Sequence, residues 1–82
     1  MTNRETSFAV LLALFDLARA GLPSDAVRIA GRLDLPTAAT AAALDRLASV
    51  GLVRGARLTL NGLALASSLD RARSTMHVRM AA

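Results

Sequence analysis

The 82-residue chain has no cysteine, no tryptophan and no tyrosine, and lysine is missing altogether, so that every basic side chain but one histidine is arginine. Without cysteine, neither a disulfide nor a thiolate-held metal can brace the fold. Two phenylalanines are the whole aromatic complement, which leaves a core built from aliphatic side chains and alanine. No apolar run approaches the ~20 residues that a membrane-spanning helix needs. The opening MTNRETS lacks the basic stretch, apolar core and small-residue cleavage site of a secretory leader, so the expected location is cytoplasmic, away from membranes. The single histidine, His77, has no carboxylate at a useful spacing, and no glycine-rich phosphate loop, metal-ligand cluster or nucleophile motif occurs. The chain is therefore expected not to be an enzyme: no catalytic residue, no metal and no cofactor is assigned.

What is present is an arginine excess and a helical pattern. Ten basic residues face six acidic ones, for a formal net charge of +4. Guanidinium forks match phosphate oxygens two at a time, so this balance points to a phosphate-bearing partner. An alanine-rich, lysine-free composition also follows from a GC-rich genome, which makes the charge more informative than the choice of arginine. A chain this short forms one domain, 1–82, and buries only ~60–65% of the surface its unfolded form exposes. Residues 1–5 are expected to be frayed, and 74–82 to be flexible or ordered by a partner.

The first helix is expected from Thr6 or Ser7 to Ala20, with Gly21 as its cap and Pro23 as a stop. Phe8, Leu11, Leu12 and Phe15 form one stripe on it, and Val10, Leu14 and Leu17 another. A helix apolar nearly all round, in so small a domain, leaves one side for association, most simply a homodimer. The competing expectation makes it the central core helix, covered by the C-terminal segment.

A second helix is expected with Ser24 as N-cap and Asp25 in the first turn, and Ala26, Ile29, Ala30 and Leu33 on one face. Arg28 and Arg32 fall on its solvent side. Gly31 interrupts it at ~1 kcal/mol relative to alanine, which signals either close approach of a neighbour or tolerated drift. Asp34 tolerates left-handed backbone and Pro36 suits a helix start, so the chain turns within two or three residues. Such a link makes the helices cross steeply, the geometry of a helix-turn-helix.

The third helix, expected over 36–50, has Thr40, Ala43, Leu44 and Leu47 on its buried face, with Pro36 and Val50 at its ends. Ala38, Ala42, Asp45 and Ser49 lie opposite, flanked by Ala41 and Arg46. After Gly51, two short runs around Gly55-Ala56 read as a stubby hairpin with a type II′ turn. A fourth helix is expected from Leu60 to Arg73 with Thr59 as N-cap, carrying Leu65, Leu69, Ala72 and, if it continues, Met76. Gly62 tells against a well-formed first turn.

The stretch IAGRLDLPTAATAAALDRLASVGLVRG and the later RLTLNGLALA resemble the winged helix-turn-helix of bacterial transcriptional regulators of the MarR and related types. The resemblance rests on Ile29-Ala30, Leu33, Leu35, Leu44-Asp45-Arg46-Leu47, Gly51-Leu52-Val53 and Leu58-Thr59-Leu60-Asn61-Gly62, and it covers about residues 24 to 66. It implies a mostly α fold, a winged helix-turn-helix with a short two-stranded wing and a C-terminal helix. It also implies double-stranded DNA as partner, with the third helix in the major groove and the wing along the backbone or minor groove. Carried over, Thr37, Ala38, Ala41 and Ala42 would face base edges. Arg46 would sit near a phosphate, Arg54 and Arg57 would flank the wing turn, and Arg28 and Arg32 would touch the backbone. A homodimer would use Phe8, Leu11, Leu12, Phe15, Leu65, Leu69 and Met76. The chain departs from the family where base-reading positions that often hold Ser, Thr, Asn or Arg are mainly alanine. An alanine face also admits another helix closely, so the alternative function is a winged-helix protein–protein interaction module with little sequence-specific DNA binding.

Overall fold

The computed structural model describes residues 2–81, and for 74–81 it describes the backbone. Four helices and one hairpin follow in the order α1 (Asn3–Arg19), α2 (Ala26–Leu33), α3 (Thr37–Ser49), β1 (Val53–Arg54), β2 (Arg57–Leu58) and α4 (Leu60–Ala81). This is a winged helix-turn-helix: mostly α, with a two-stranded antiparallel wing leading into a C-terminal helix. Among the described residues no helix is long and apolar enough to cross a membrane.

Three boundaries differ from the expected ones, and local capping chemistry accounts for the first two. The first helix begins at Asn3, not at Thr6 or Ser7, because Thr2 and Glu5 form a reciprocal capping box. Its four-residue spacing satisfies two otherwise orphaned amides. The N-cap of α2 is Asp25, whose carboxylate accepts from the Arg28 amide at 2.7 Å. Ser24, the expected cap, instead donates its hydroxyl to the Ala56 carbonyl in the wing turn. The last helix runs past Arg73 to Ala81. Its start is as expected: the Thr59 hydroxyl accepts from the Gly62 amide and donates to the Gly51 carbonyl, which ties α4 to the end of α3.

Between α2 and α3, Asp34 takes the left-handed conformation, φ 55° and ψ 48°, and its amide closes the helix on Ala30. That conformation costs a residue with a Cβ roughly 1 kcal/mol. Asp34→Gly is therefore expected to raise stability by about 0.5–1 kcal/mol and Asp34→Val to lower it, as read from urea midpoints.

The core centres on α1, which packs against α2, α3, α4 and β2. Val10, Leu11, Leu14 and Leu17 are closed off from solvent, and Ala13 and Phe15 nearly so. The second stripe, Val10, Leu14 and Leu17, is enclosed by the chain itself, whereas in the first only Leu11 and Phe15 are, and Phe8 and Leu12 stay half-buried. On α3 the buried residues are Thr40, Ala43, Leu44 and Leu47, the face that the spacing predicts except at its ends, where Pro36 and Val50 cap the helix and are exposed. Leu65 and Leu69 of α4 pack against the edge of this core.

Candidate nucleic-acid interface

The core fixes which side of α3 is left free. With Thr40, Ala43, Leu44 and Leu47 turned inward, Thr37, Ala38, Ala41, Ala42, Asp45, Ala48 and Ser49 are exposed. Between Thr37 and Asp45 this face carries nothing larger than a methyl group. The carboxylate of Asp45 repels phosphate, so the end of α3 that can approach an anionic backbone is the one around Thr37 and Ala38. The four base-edge candidates, Thr37, Ala38, Ala41 and Ala42, thus share one exposed surface.

Helix α2 packs on one part of α3 and strand β1 on another, and both elements carry exposed arginines. Arg28 and Arg32 are a helical turn apart on α2, and both are exposed. On the wing, Arg54 and Arg57 stand directly opposite one another in the ladder, and both are exposed. The turn between them has Gly55 at φ 64°, as a type II′ hairpin requires. Like charges opposed across a strand pair destabilise it by roughly 0.2–1 kcal/mol. Here they occupy one of the two rungs that the wing possesses.

The remaining arginines divide differently. Arg46 is half-buried and turned back to the start of α1, where its Nε donates to the Ser7 hydroxyl at 3.1 Å and its guanidinium donates to the Asn3 carbonyl at 3.2 Å. It is a latch between α3 and α1, separated from the surface that Thr37 and Ala38 share. Arg19 pairs with Asp70 at 3.3 Å and lies over the Phe15 ring. Arg73 reaches Asp16 at 3.4 Å and also bonds Asp70, and the Asp70 bond raises the Arg73 pKa above its ordinary range. Arg4 lies over Phe8. Among the described residues, no acidic side chain is paired with Arg28, Arg32, Arg54 or Arg57. The acids that neutralise arginines sit instead on α1 and α4.

No family model matches the chain, and no curated protein or solved structure matches it.

Of the expected dimer residues, Leu11 is fully enclosed and Phe15 nearly so, while Phe8, Leu12, Leu65 and Leu69 are half-buried. Met76 lies outside the residues whose side chains are described. Sequence reasoning missed the Ser24–Ala56 bond that ties the approach to α2 onto the wing. Nothing in the spacing of these two residues signals it, because 32 positions separate them. It also placed Asp45 on the outer face of α3 without counting it in the site, although a lone acid on an otherwise neutral face is legible from helical period alone.

Proposed function

We propose that the chain is a non-catalytic module that binds double-stranded DNA and acts as a transcriptional regulator. The N-terminal part of α3 meets the major groove while Arg28, Arg32, Arg54 and Arg57 hold phosphates on either side. The observation that carries this reading is the opposed Arg54–Arg57 pair, a repulsive rung that an anion relieves and that no acid among the described residues compensates. The resemblance of residues 24 to 66 to MarR-type regulators supports it. So does the contrast between Arg19 and Arg73, which pair with acids of α1 and α4, and Arg28, Arg32, Arg54 and Arg57, which surround α3 with no acidic partner among the described residues. Outside this group, Arg4 on α1, Arg46 on α3 and Arg71 on α4 share that state. Phosphate contacts position a protein without specifying sequence, and an alanine face offers base edges only methyl contact, chiefly with thymine. Specificity then depends on two copies reading two half-sites, and of the expected dimer residues Phe8, Leu12, Leu65 and Leu69 are half-buried and keep apolar surface for that association.

A second reading follows from the smoothness of the same face: Ala38, Ala41 and Ala42 admit a helix of another protein at close range. Fluorescence anisotropy of a labelled duplex, titrated with protein at rising salt, separates the two. On the DNA reading, four phosphate contacts per copy give a slope of log K against log salt of about −3.6, and Ala42→Glu weakens binding roughly tenfold by setting a charge against the groove. Absence of retention at low salt rejects DNA binding. A wild-type isotherm for Ala42→Glu moves α3 to the protein-partner reading.

A further inference from the structure

The wing is incomplete on one side, and the way it is incomplete specifies what completes it. The Thr59 amide donates to the Leu52 carbonyl at 3.1 Å, and the register pairs Val53 with Leu58 and Arg54 with Arg57. In an antiparallel ladder, hydrogen-bonded and non-bonded pairs alternate. Leu52/Thr59 and Arg54/Arg57 are therefore the bonded pairs, and the N–H and C=O of Leu58 both point away from β1. Among the described residues neither group has a partner. The segment beside this edge, Leu22-Pro23-Ser24, touches the wing through the Ser24 hydroxyl on the Ala56 carbonyl, and Pro23 has no amide to offer.

Between that segment and β2 lies a cleft of about 530 Å³, walled by Leu14, Ala18, Leu22, Leu58, Leu60 and Leu63. Of the residues that line it, Arg57 alone is charged. Leu22, Leu60 and Leu63 are 46%, 86% and 42% exposed, which places three of the five exposed large hydrophobics of the described chain around this one opening.

We propose that the outer edge of β2 accepts a third strand from a partner protein: an extended apolar segment that bonds the Leu58 backbone and carries an acidic residue beside Arg57. A peptide donor and acceptor on one residue, both aimed into an apolar cleft, call for extended backbone; a helix has spent its own amides, and a purely apolar ligand leaves the Leu58 groups unsatisfied. Arg57 sets the sign of the partner's charge. A second copy of this chain is the poorer occupant, because pairing β2 with itself brings two Arg57 side chains together. A two-stranded ribbon is also marginal in water, and a third strand makes it a sheet. The proposal shares Arg57 with the DNA reading, so the two partners compete for that side chain, but it rests on the Leu58 edge and survives the failure of that reading.

The test uses the full chain, isotopically labelled, with an end-blocked seven-residue peptide of alternating valine and glutamate as probe. The measurement is hydrogen exchange at the Leu58 amide. At saturation, exchange at Leu58 is expected to slow at least tenfold. The same peptide N-methylated at alternate amides, so that its wing-facing edge cannot donate, is expected to give no protection. Leu63→Glu, which places a charge in the cleft wall, is expected to weaken binding more than tenfold. Arg57→Glu is expected to transfer the preference to a valine–lysine peptide, a gain that a misfolded variant could not show. Equal binding by the methylated peptide overturns strand addition, and so does the absence of Leu58 protection at millimolar peptide. Protection that grows with protein concentration alone overturns the partner as occupant in favour of a second copy.

Discussion

Replacing Arg28, Arg32, Arg54 and Arg57 together with glutamine is expected to abolish the salt dependence of duplex binding while leaving the fold intact or firmer. With four phosphate contacts, the wild-type chain loses on the order of a hundredfold in affinity between 50 and 200 mM salt. The quadruple variant, with those counterions no longer displaced, should show a nearly flat dependence and weak binding throughout. Its thermal midpoint should rise by a few degrees. Removing the opposed Arg54–Arg57 charges relieves roughly 0.2–1 kcal/mol, and about 1 kcal/mol corresponds to some 4–8 °C in a domain of this size. The matched control is Arg19→Gln with Arg73→Gln, which removes arginines already paired to Asp70 and Asp16. It should leave the salt slope unchanged, with only the small stability cost of exposed ion pairs. A quadruple variant that keeps the wild-type slope, or a control that loses it, would place the phosphate contacts elsewhere.

The second large effect concerns two helical glycines with opposite roles. Gly31 has open space where a Cβ would stand, whereas a Cβ on Gly62 would fall inside the van der Waals shell of the Leu52 carbonyl oxygen. That oxygen already accepts the Thr59 amide that closes the wing, so neither partner can move away without opening the hairpin. Gly31→Ala is expected to stabilise by about 1 kcal/mol, the gap in helix propensity. Gly62→Ala has the same propensity in its favour and should nevertheless destabilise by about 3 kcal/mol or more, because backbone meets side chain. Urea denaturation of both variants checks the sign as well as the size. A stabilised Gly62→Ala would mean that α4 does not rest on Leu52.

These glycines also show where sequence reasoning stops. The sequence pattern offered close approach as one reading of Gly31 and took Gly62 for a weakness in the fourth helix. The structure leaves Gly31 open and places the close approach at Gly62. Nothing within either helix distinguishes them, since the distinction lies in Leu52, which reaches Gly62 only after the wing has folded back. Features governed by near neighbours were legible: the left-handed Asp34, the inward face Thr40, Ala43, Leu44 and Leu47, the Thr59 cap and the Gly55 turn. At the interface, periodicity correctly left Thr37, Ala38, Ala41 and Ala42 exposed together. It could not foresee Arg46 turning to Ser7 and Asn3, because a long side chain at the edge of a helix face reaches either way, and the choice is made by α1. Cover over α1 was legible only as one of two expectations, because it is supplied by elements from every later part of the chain.

That cover governs the order of events when the chain is made. The helix synthesised first, α1, is enclosed by α2, α3, β2 and finally α4. Its ion pairs to α4 join residues 51 and 57 positions apart. A nascent chain that has emerged only through α3 still lacks the strand and helix that finish the burial of α1. Such long-range closure slows folding relative to a bundle of neighbouring helices and leaves apolar surface open to association in the meantime. The wing and α4 are thus what commits the whole domain to fold as one cooperative unit.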